Sequence, residues 1–307
     1  MSPSAPSSVP AAPPDAGAPV GARERSEPPE TPALRRRAAF LDFDGTLARH
    51  GVVPRAQAEA VLAARAAGHA VLLSTGRPGS IVAEDVAALF DGWITSAGAH
   101  VRIGAELLRD ERLPPEVTTR AVHVLEAHGA AFVLEAPEAL WCTERSAQQL
   151  RERPRRSVVP AEGDRGRGTE DLLAAVRTTD RLAEVPAAKI TVWSSPVPIE
   201  ALAEDIGPEL GALPNSISPD GLGSGELHLA GVDKAQGLLL LAEHLGVPVA
   251  DTIAIGDGMN DLGMLRAAGT GVAIRGSRAE VLAAADLEVP PPAEHGVLHA
   301  FERLGLL

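Results

Sequence analysis

Two aspartates one residue apart, Asp42 and Asp44 in Phe40-Leu41-Asp42-Phe43-Asp44-Gly45-Thr46-Leu47, follow directly on a short apolar run. Carboxylates that face one pocket repel one another and raise each other's pKa unless a cation joins them. A divalent ion with hard oxygen ligands, most naturally Mg2+, removes that repulsion, and Gly45 permits the tight turn between the two acids. Asp-x-Asp alone describes a solvated loop equally well. A second acidic group, Gly256-Asp257-Gly258-Met259-Asn260-Asp261, lies far along the chain and adds two carboxylates and an amide. Its residue types also suit a plain turn running into an Asx-capped helix. Lys234 reads either as a solvated surface lysine or, near four acids, as a group that neutralises charge and holds a phosphoryl oxygen. In Ser74-Thr75-Gly76-Arg77-Pro78, the Thr75 hydroxyl can donate to the same group, and Gly76 lets the backbone approach it closely. Arg77 reads evenly as a substrate contact or a surface partner.

Only a fold can bring these residues together, and the flanking pattern says which. Ala38 to Leu41, Ala70 to Leu73 and Thr252 to Ile255 are short apolar runs of the kind buried in parallel sheets, ending at Asp42, Ser74-Thr75 and Gly256-Asp257. Ligands of open parallel sheets bind outside the carboxyl ends of the strands, so these ends can converge. Helices are expected from Pro54 to about Ala67, Gly79 to Phe90, Asp233 to Leu245 and Asn260 to Ala268, with further strands at Trp93 to Thr95, Glu226 to Leu229 and Gly271 to Ile274. Such alternation implies a doubly wound α/β sheet, Rossmann-like in style. Between about 100 and 225 the rhythm changes. A hairpin from Val101 to Leu108, apolar runs at Ala131 and Trp141, an Arg-rich loop from Arg151 to Gly168, a helix near Thr169 to Thr179 and a strand from Lys189 to Trp193 read as an α+β insert. The expected organisation is a Pro/Ser/Ala-rich disordered tail over 1–34, a core domain of 35–99 and 226–307, and an inserted domain over 100–225.

Composition narrows the partners. The 307 residues carry a formal net charge of -13, which repels a phosphate backbone, and three Trp, five Phe and no Tyr leave little to stack on bases. Nucleic acid is therefore not an expected partner, whereas a small phosphate ester remains compatible through a cation and local donors. The one cysteine, Cys142, excludes an intrachain disulfide and a thiolate metal cluster, and reads as a small buried hydrophobe. No run approaches the roughly 18 apolar residues of a membrane span, and the N-terminus lacks the apolar core of a signal peptide. A soluble cytoplasmic protein is the expectation. His295 and His299 read as a solvated pair, and His123 and His128 as flanks of a helix.

Together the segments resemble the haloacid dehalogenase superfamily, whose four motifs correspond in order to Asp42-Phe43-Asp44-Gly45-Thr46, Ser74-Thr75-Gly76, Lys234 and Gly256-Asp257-Gly258-Met259-Asn260-Asp261. The form of the motifs and the large insert between the second and third resemble its Cof-type branch (subclass IIB), which carries an α/β cap. The resemblance implies a magnesium-dependent phosphatase acting on a small phosphorylated metabolite such as a sugar phosphate, through an aspartyl-phosphate. It implies that Asp42 is the nucleophile and Asp44 the acid and base. Thr75, Gly76 and Lys234 would hold the phosphoryl group. Asp42, the backbone carbonyl of Asp44, and Asp257 would hold Mg2+, with Asn260 and Asp261 close behind. A phosphomutase of the same superfamily and a non-catalytic, phosphate-binding regulator are the alternatives. One departure stands out: members commonly carry Asn-Gly-Ala after the third strand, where this chain has Ser96-Ala97-Gly98-Ala99.

Overall fold

A computed structural model describes Met1 and residues 35–153, 158–214 and 223–307. The tail expected over 1–34 lies almost wholly outside the described residues, as does part of the Arg-rich loop. The chain opens a large sheet with β1 (Ala38–Leu41), β2 (Ala70–Ser74), β3 (Gly92–Thr95), β4 (His100–Ile103) and β5 (Glu106–Asp110). It then forms a second sheet from β6 (Ala131–Glu135), β7 (Leu140–Cys142), β8 (Val176–Thr178), β9 (Lys189–Ser194), β10 (Leu210–Pro214) and β11 (Gly225–Leu229). It returns to the first with β12 (Thr252–Gly256), β13 (Thr270–Ile274) and β14 (Leu287–Val289). The large sheet runs β14-β13-β12-β1-β2-β3-β4-β5, and the smaller one β10-β11-β9-β6-β7-β8. From β14 to β3 every pairing is parallel. The expected doubly wound α/β sheet with an inserted α+β layer is therefore present.

The apolar runs are continuous because both faces of the sheet are covered. Leu41, Leu73 and Ile255 point into one core with Phe301 and Val61, while Phe40, Leu72 and Ala254 point into the other with Leu238 and Leu241. Burying one such Leu or Phe contributes about 1.5–3 kcal/mol. The helices that cover these faces include Arg55–Ala66, Lys234–His244 and Gly296–Leu304. The smaller sheet has its own core, where Phe132, Leu134, Ile190 and Leu227 meet the helices Pro115–Ala127 and Ile199–Ile206.

Several expected elements differ. The hairpin assigned to the insert is β4 and β5, which extend the large sheet antiparallel beyond β3. A hairpin signal carries no information about which sheet edge it joins. The run from Glu226 to Leu229, expected in the core domain, is β11 and pairs with β9 and β10 of the smaller sheet. Its alternating pattern suits a sheet with one covered face, not the doubly covered parallel one. The helix expected over 79–90 is broken into a tight turn at Gly79–Ile81 and one short helix at Glu84–Ala87. That expected from Thr169 to Thr179 ends at Ala175 and becomes β8. In physical terms both are short segments whose ends are set by packing, which outweighs local propensity.

Candidate active site

Strand register places the chemistry. Leu41 pairs with Leu73 on one side and Ile255 on the other, so Asp42 stands level with Ser74 and Gly256. Thr75 and Asp257 each follow one residue later. The strand order reverses about β1, with β2 on one side and β12 on the other, which makes the end of β1 a topological switch point. Carboxylate oxygens of Asp42, Asp257 and Asp261 lie within 4.8 Å of one another there. Gly45, at φ 90°, lets this happen: a Cβ in its place would stand 2.4 Å from Asp257 Oδ2. Gly256 does the same for Asp261, whose Cβ lies 2.6 Å from where a side chain would begin.

Lys234, fully buried at the head of the helix Lys234–His244, donates to Asp42 Oδ1 and Asp261 Oδ1, each at 2.6 Å. Burial alone would lower its pKa, but Asp261 and Asp42 raise it further than burial lowers it, so it stays an ammonium. Asp261 spends its other oxygen on the backbone amides of Asp257 (3.0 Å) and Gly258 (2.8 Å). It therefore fixes the Asp257 turn. Asp257 accepts from the Thr46 hydroxyl at 2.7 Å. Burial, then repulsion from Asp261, pushes Asp42 well above the usual carboxylate range; burial, despite the Thr46 hydrogen bond, lifts Asp257 to about 6. A cluster that Lys234 neutralises only in part, and whose acids resist ionising without more positive charge, fits a divalent cation.

Asp44 lies on the rim and turns away from this cluster. Both its oxygens accept from Arg77, at 2.5 and 2.7 Å, and the guanidinium stacks 4.7 Å from the Phe43 ring centre. Its carboxylate is not among the clustered acids. Thr75 is buried, and its oxygen accepts from the Arg77 amide at 3.1 Å. Asn260 is half-buried, its amide nitrogen 3.5 Å from where a Gly76 Cβ would stand. A cavity of about 310 Å3 opens beside Asp44, lined by His50 and Arg77 from the large-sheet layer and by Leu150, Arg153 and Leu172 from the insert.

Three features were not foreseen. Thr46 lies inside the first motif, and its hydroxyl type beside two acids was a usable signal. Arg77, read evenly between two roles, pairs with Asp44. Lys189, on β9 and 1% exposed, sits between Glu135 and Glu226 and donates to the Gly76 carbonyl at 2.6 Å. The other candidates play no part in the cluster. Cys142 is buried and its thiol is raised to about 11 by burial; His128 pairs with Asp205 and His299 with Glu302. Among the described residues no helix is long and apolar enough to cross a membrane.

A model of haloacid dehalogenase-like hydrolases matches residues 39–301. The chain is 40% identical over 79 residues to the phosphatase YwpJ of Bacillus subtilis, a stretch covering 26% of this chain and 28% of that protein. It is 41% identical over 78 residues to a phosphoglycolate phosphatase of Archaeoglobus fulgidus, covering 25% of this chain and 35% of that one. The matched stretch thus spans about a third of either relative. A solved structure of a subclass IIB sugar phosphatase, BT4131, superposes with a TM-score of 0.69 at 23% identity, over 88% of this chain and all of the other. That likeness is one of fold.

Proposed function

We propose, for a chain that belongs to the haloacid dehalogenase-like hydrolases, that it is a Mg2+-dependent phosphatase releasing phosphate from a small phosphorylated metabolite. The observation that carries this reading is Lys234 between Asp42 and Asp261 at the switch point, with Asp257 beside them. Asp42, the Asp44 carbonyl and Asp257 are the groups that would hold the ion, and bound there it would offset the charge on the phosphoryl oxygens. Lys234 occupies Asp42 Oδ1, which leaves Oδ2 to attack phosphorus and form an aspartyl-phosphate. The Thr75 hydroxyl and the Lys234 ammonium bind the phosphoryl oxygens in transit, where positioning and charge do most of the work.

Asp44 protonates the departing oxygen and then takes a proton from water as it attacks the aspartyl-phosphate. Its position on the rim, beside the cavity, suits a group that meets the leaving group rather than the metal. Both Asp44 oxygens rest on Arg77, so one must come free before it can serve as the acid. The inserted layer closes the other side of that cavity and acts as the cap that selects the leaving group. Sugar phosphates and 2-phosphoglycolate head the candidates, given what the similar proteins are named for.

The test is phosphate release from a panel of phosphorylated metabolites with Mg2+, with Asp42→Asn as the blank. That variant should lose at least about 10^4-fold in kcat, the scale on which a removed nucleophile acts, with its melting temperature kept. Full activity in Asp42→Asn would sink the mechanism, and transfer to a second hydroxyl without free phosphate would make the protein a mutase.

A further inference from the structure

We infer that Lys189 is a positioning residue for the phosphoryl-binding turn: from the insert's sheet its ammonium holds the Gly76 carbonyl and so aims the Thr75 hydroxyl. The inference rests on the phosphatase reading above. It starts from how completely the turn Thr75-Gly76-Arg77 is tied down. The Thr75 carbonyl accepts from the Ala97 amide at 3.1 Å and the Arg77 carbonyl from the Ser96 amide at 2.8 Å. Both of these ties come from the large-sheet layer. The carbonyl between them, that of Gly76, takes its hydrogen bond at 2.6 Å from Lys189, 113 residues away on β9.

The Gly76 carbonyl and the Arg77 amide belong to one rigid peptide plane. Holding the oxygen end of that plane therefore sets where its N–H end points. That N–H donates to the Thr75 hydroxyl oxygen at 3.1 Å. A hydroxyl has one proton and two lone pairs; once a lone pair is engaged from the backbone side, the proton turns to the opposite side. Thr75 is the hydroxyl assigned to the phosphoryl group. A loosened peptide plane would let that hydroxyl rotate and lose its aim.

The insert holds Lys189 firmly enough for this. It pairs across the sheet with Glu135 on β6, and its ammonium lies 3.3 Å from Glu135 Oε2 and 2.8 Å from Glu226 Oε1. Glu135 is itself fixed by the Thr191 hydroxyl at 2.6 Å. Gly76 thus adds a hydrogen bond to an ammonium that the two glutamates already hold by charge. Burial alone would lower the Lys189 pKa, but the two glutamates raise it above its usual value, so the donor stays charged. A buried lysine that served only to stabilise the insert would be satisfied within it. This one spends its shortest bond on the catalytic turn.

The experiment is a double-mutant cycle of Lys189→Met with Thr75→Ala on the full chain with Mg2+, read as p-nitrophenyl phosphate turnover and as orthovanadate affinity. Lys189→Met should lower kcat by about 10^2-fold, the scale of a misplaced catalytic group, and leave KM nearly unchanged. In the Thr75→Ala background the same change should cost under about threefold, because the group through which Lys189 acts is gone. Equal losses in both backgrounds would mean a purely structural role and would overturn the inference. If Lys189→Met does not fold, Glu226→Gln, which loosens one of the two glutamate ties, takes its place and should show a smaller loss that likewise vanishes with Thr75→Ala. A wild-type chain that releases no phosphate would fall on the phosphatase reading; the orthovanadate cycle would then still judge Lys189, with additive losses again overturning it.

Discussion

Two lysines in this molecule are almost wholly sealed from solvent, and each lies between two carboxylates. Lys234 joins Asp42 and Asp261 at the end of the large sheet; Lys189 joins Glu135 and Glu226 on the smaller one. Taking a charge out of water costs several kcal/mol, and in both places the partners and their hydrogen bonds must offset it. The difference lies in what each ammonium does with its remaining capacity. Lys234 keeps company with Asp257 in a cluster that invites a cation, while Lys189 turns to a backbone carbonyl. On the reading proposed above, one unit handles charge that arrives with the substrate, and the other holds still the peptide against which that substrate is bound.

The largest separation between the two should come from removing each ammonium. Lys234→Met is expected to lower kcat/KM by about 10^3-fold, the upper scale for a lost electrostatic contact, and to lower stability by about 3–5 kcal/mol, as for a broken buried ion pair. Mg2+ should restore much of that stability, because a cation bound among Asp42, Asp257 and the Asp44 carbonyl replaces the missing charge. Lys189→Met should be destabilised in the same range with no such restoration. Thermal melts of both variants with chelator and with Mg2+ decide it; equal rescue by Mg2+ would erase the distinction.

A smaller contrast is set by pH. Burial pushes Asp257 up to about 6 in the folded protein, above the usual carboxylate value of 3.8. Between those values the metal-free native state binds a proton that the unfolded chain does not, so this group favours folding in acid and its contribution fades as pH rises through about 6. Melting of the chelated protein should therefore improve, at this site's contribution, from pH 7 toward pH 5. Stabilisation by Mg2+ should move the other way and weaken below about pH 6, as protons displace the ion. A metal effect independent of pH across this window would argue that the ion binds elsewhere.

The smallest effect concerns the backbone that braces the Thr75 turn. Ala97 sits at φ 57° and ψ 27°, a left-handed conformation that costs a residue with a Cβ about 1–2 kcal/mol. Its amide nevertheless holds the Thr75 carbonyl. Ala97→Gly should stabilise the protein by about 0.5–1 kcal/mol, the relief of strain less the entropy glycine adds to the unfolded chain. A lower melting temperature in that variant would show that the Cβ packs usefully.

The core site was legible because its residues come in runs. Asp42 to Thr46 and Gly256 to Asp261 each pack several polar groups into a few positions after an apolar strand, and strand order alone then makes them neighbours. The insert's charged unit has no such signature. Glu135 ends one apolar run, Lys189 begins another and Glu226 opens a third, and each by itself reads as a strand meeting solvent. Only the pairing of Glu135 with Lys189 across β6 and β9, and the placing of β11 beside them, turns three isolated charges into one group. Sheet membership failed in the same way for β4, β5 and β11, because a local pattern specifies a strand and not its neighbours.

The Arg-rich loop of the insert is fastened to the large-sheet layer. Val53 and Arg165 exchange two backbone hydrogen bonds, at 2.9 and 3.0 Å; Asp164 caps the Arg55 amide, and Asp85 takes the Gly166 amide. The chain already crosses between its two layers twice, after β5 and after β11, and this seam adds a fastening that neither crossing supplies. An insert that swung to widen the mouth at Asp44 would have to break these bonds. On the function proposed above, the seam is a bolt across the hatch through which a product would leave.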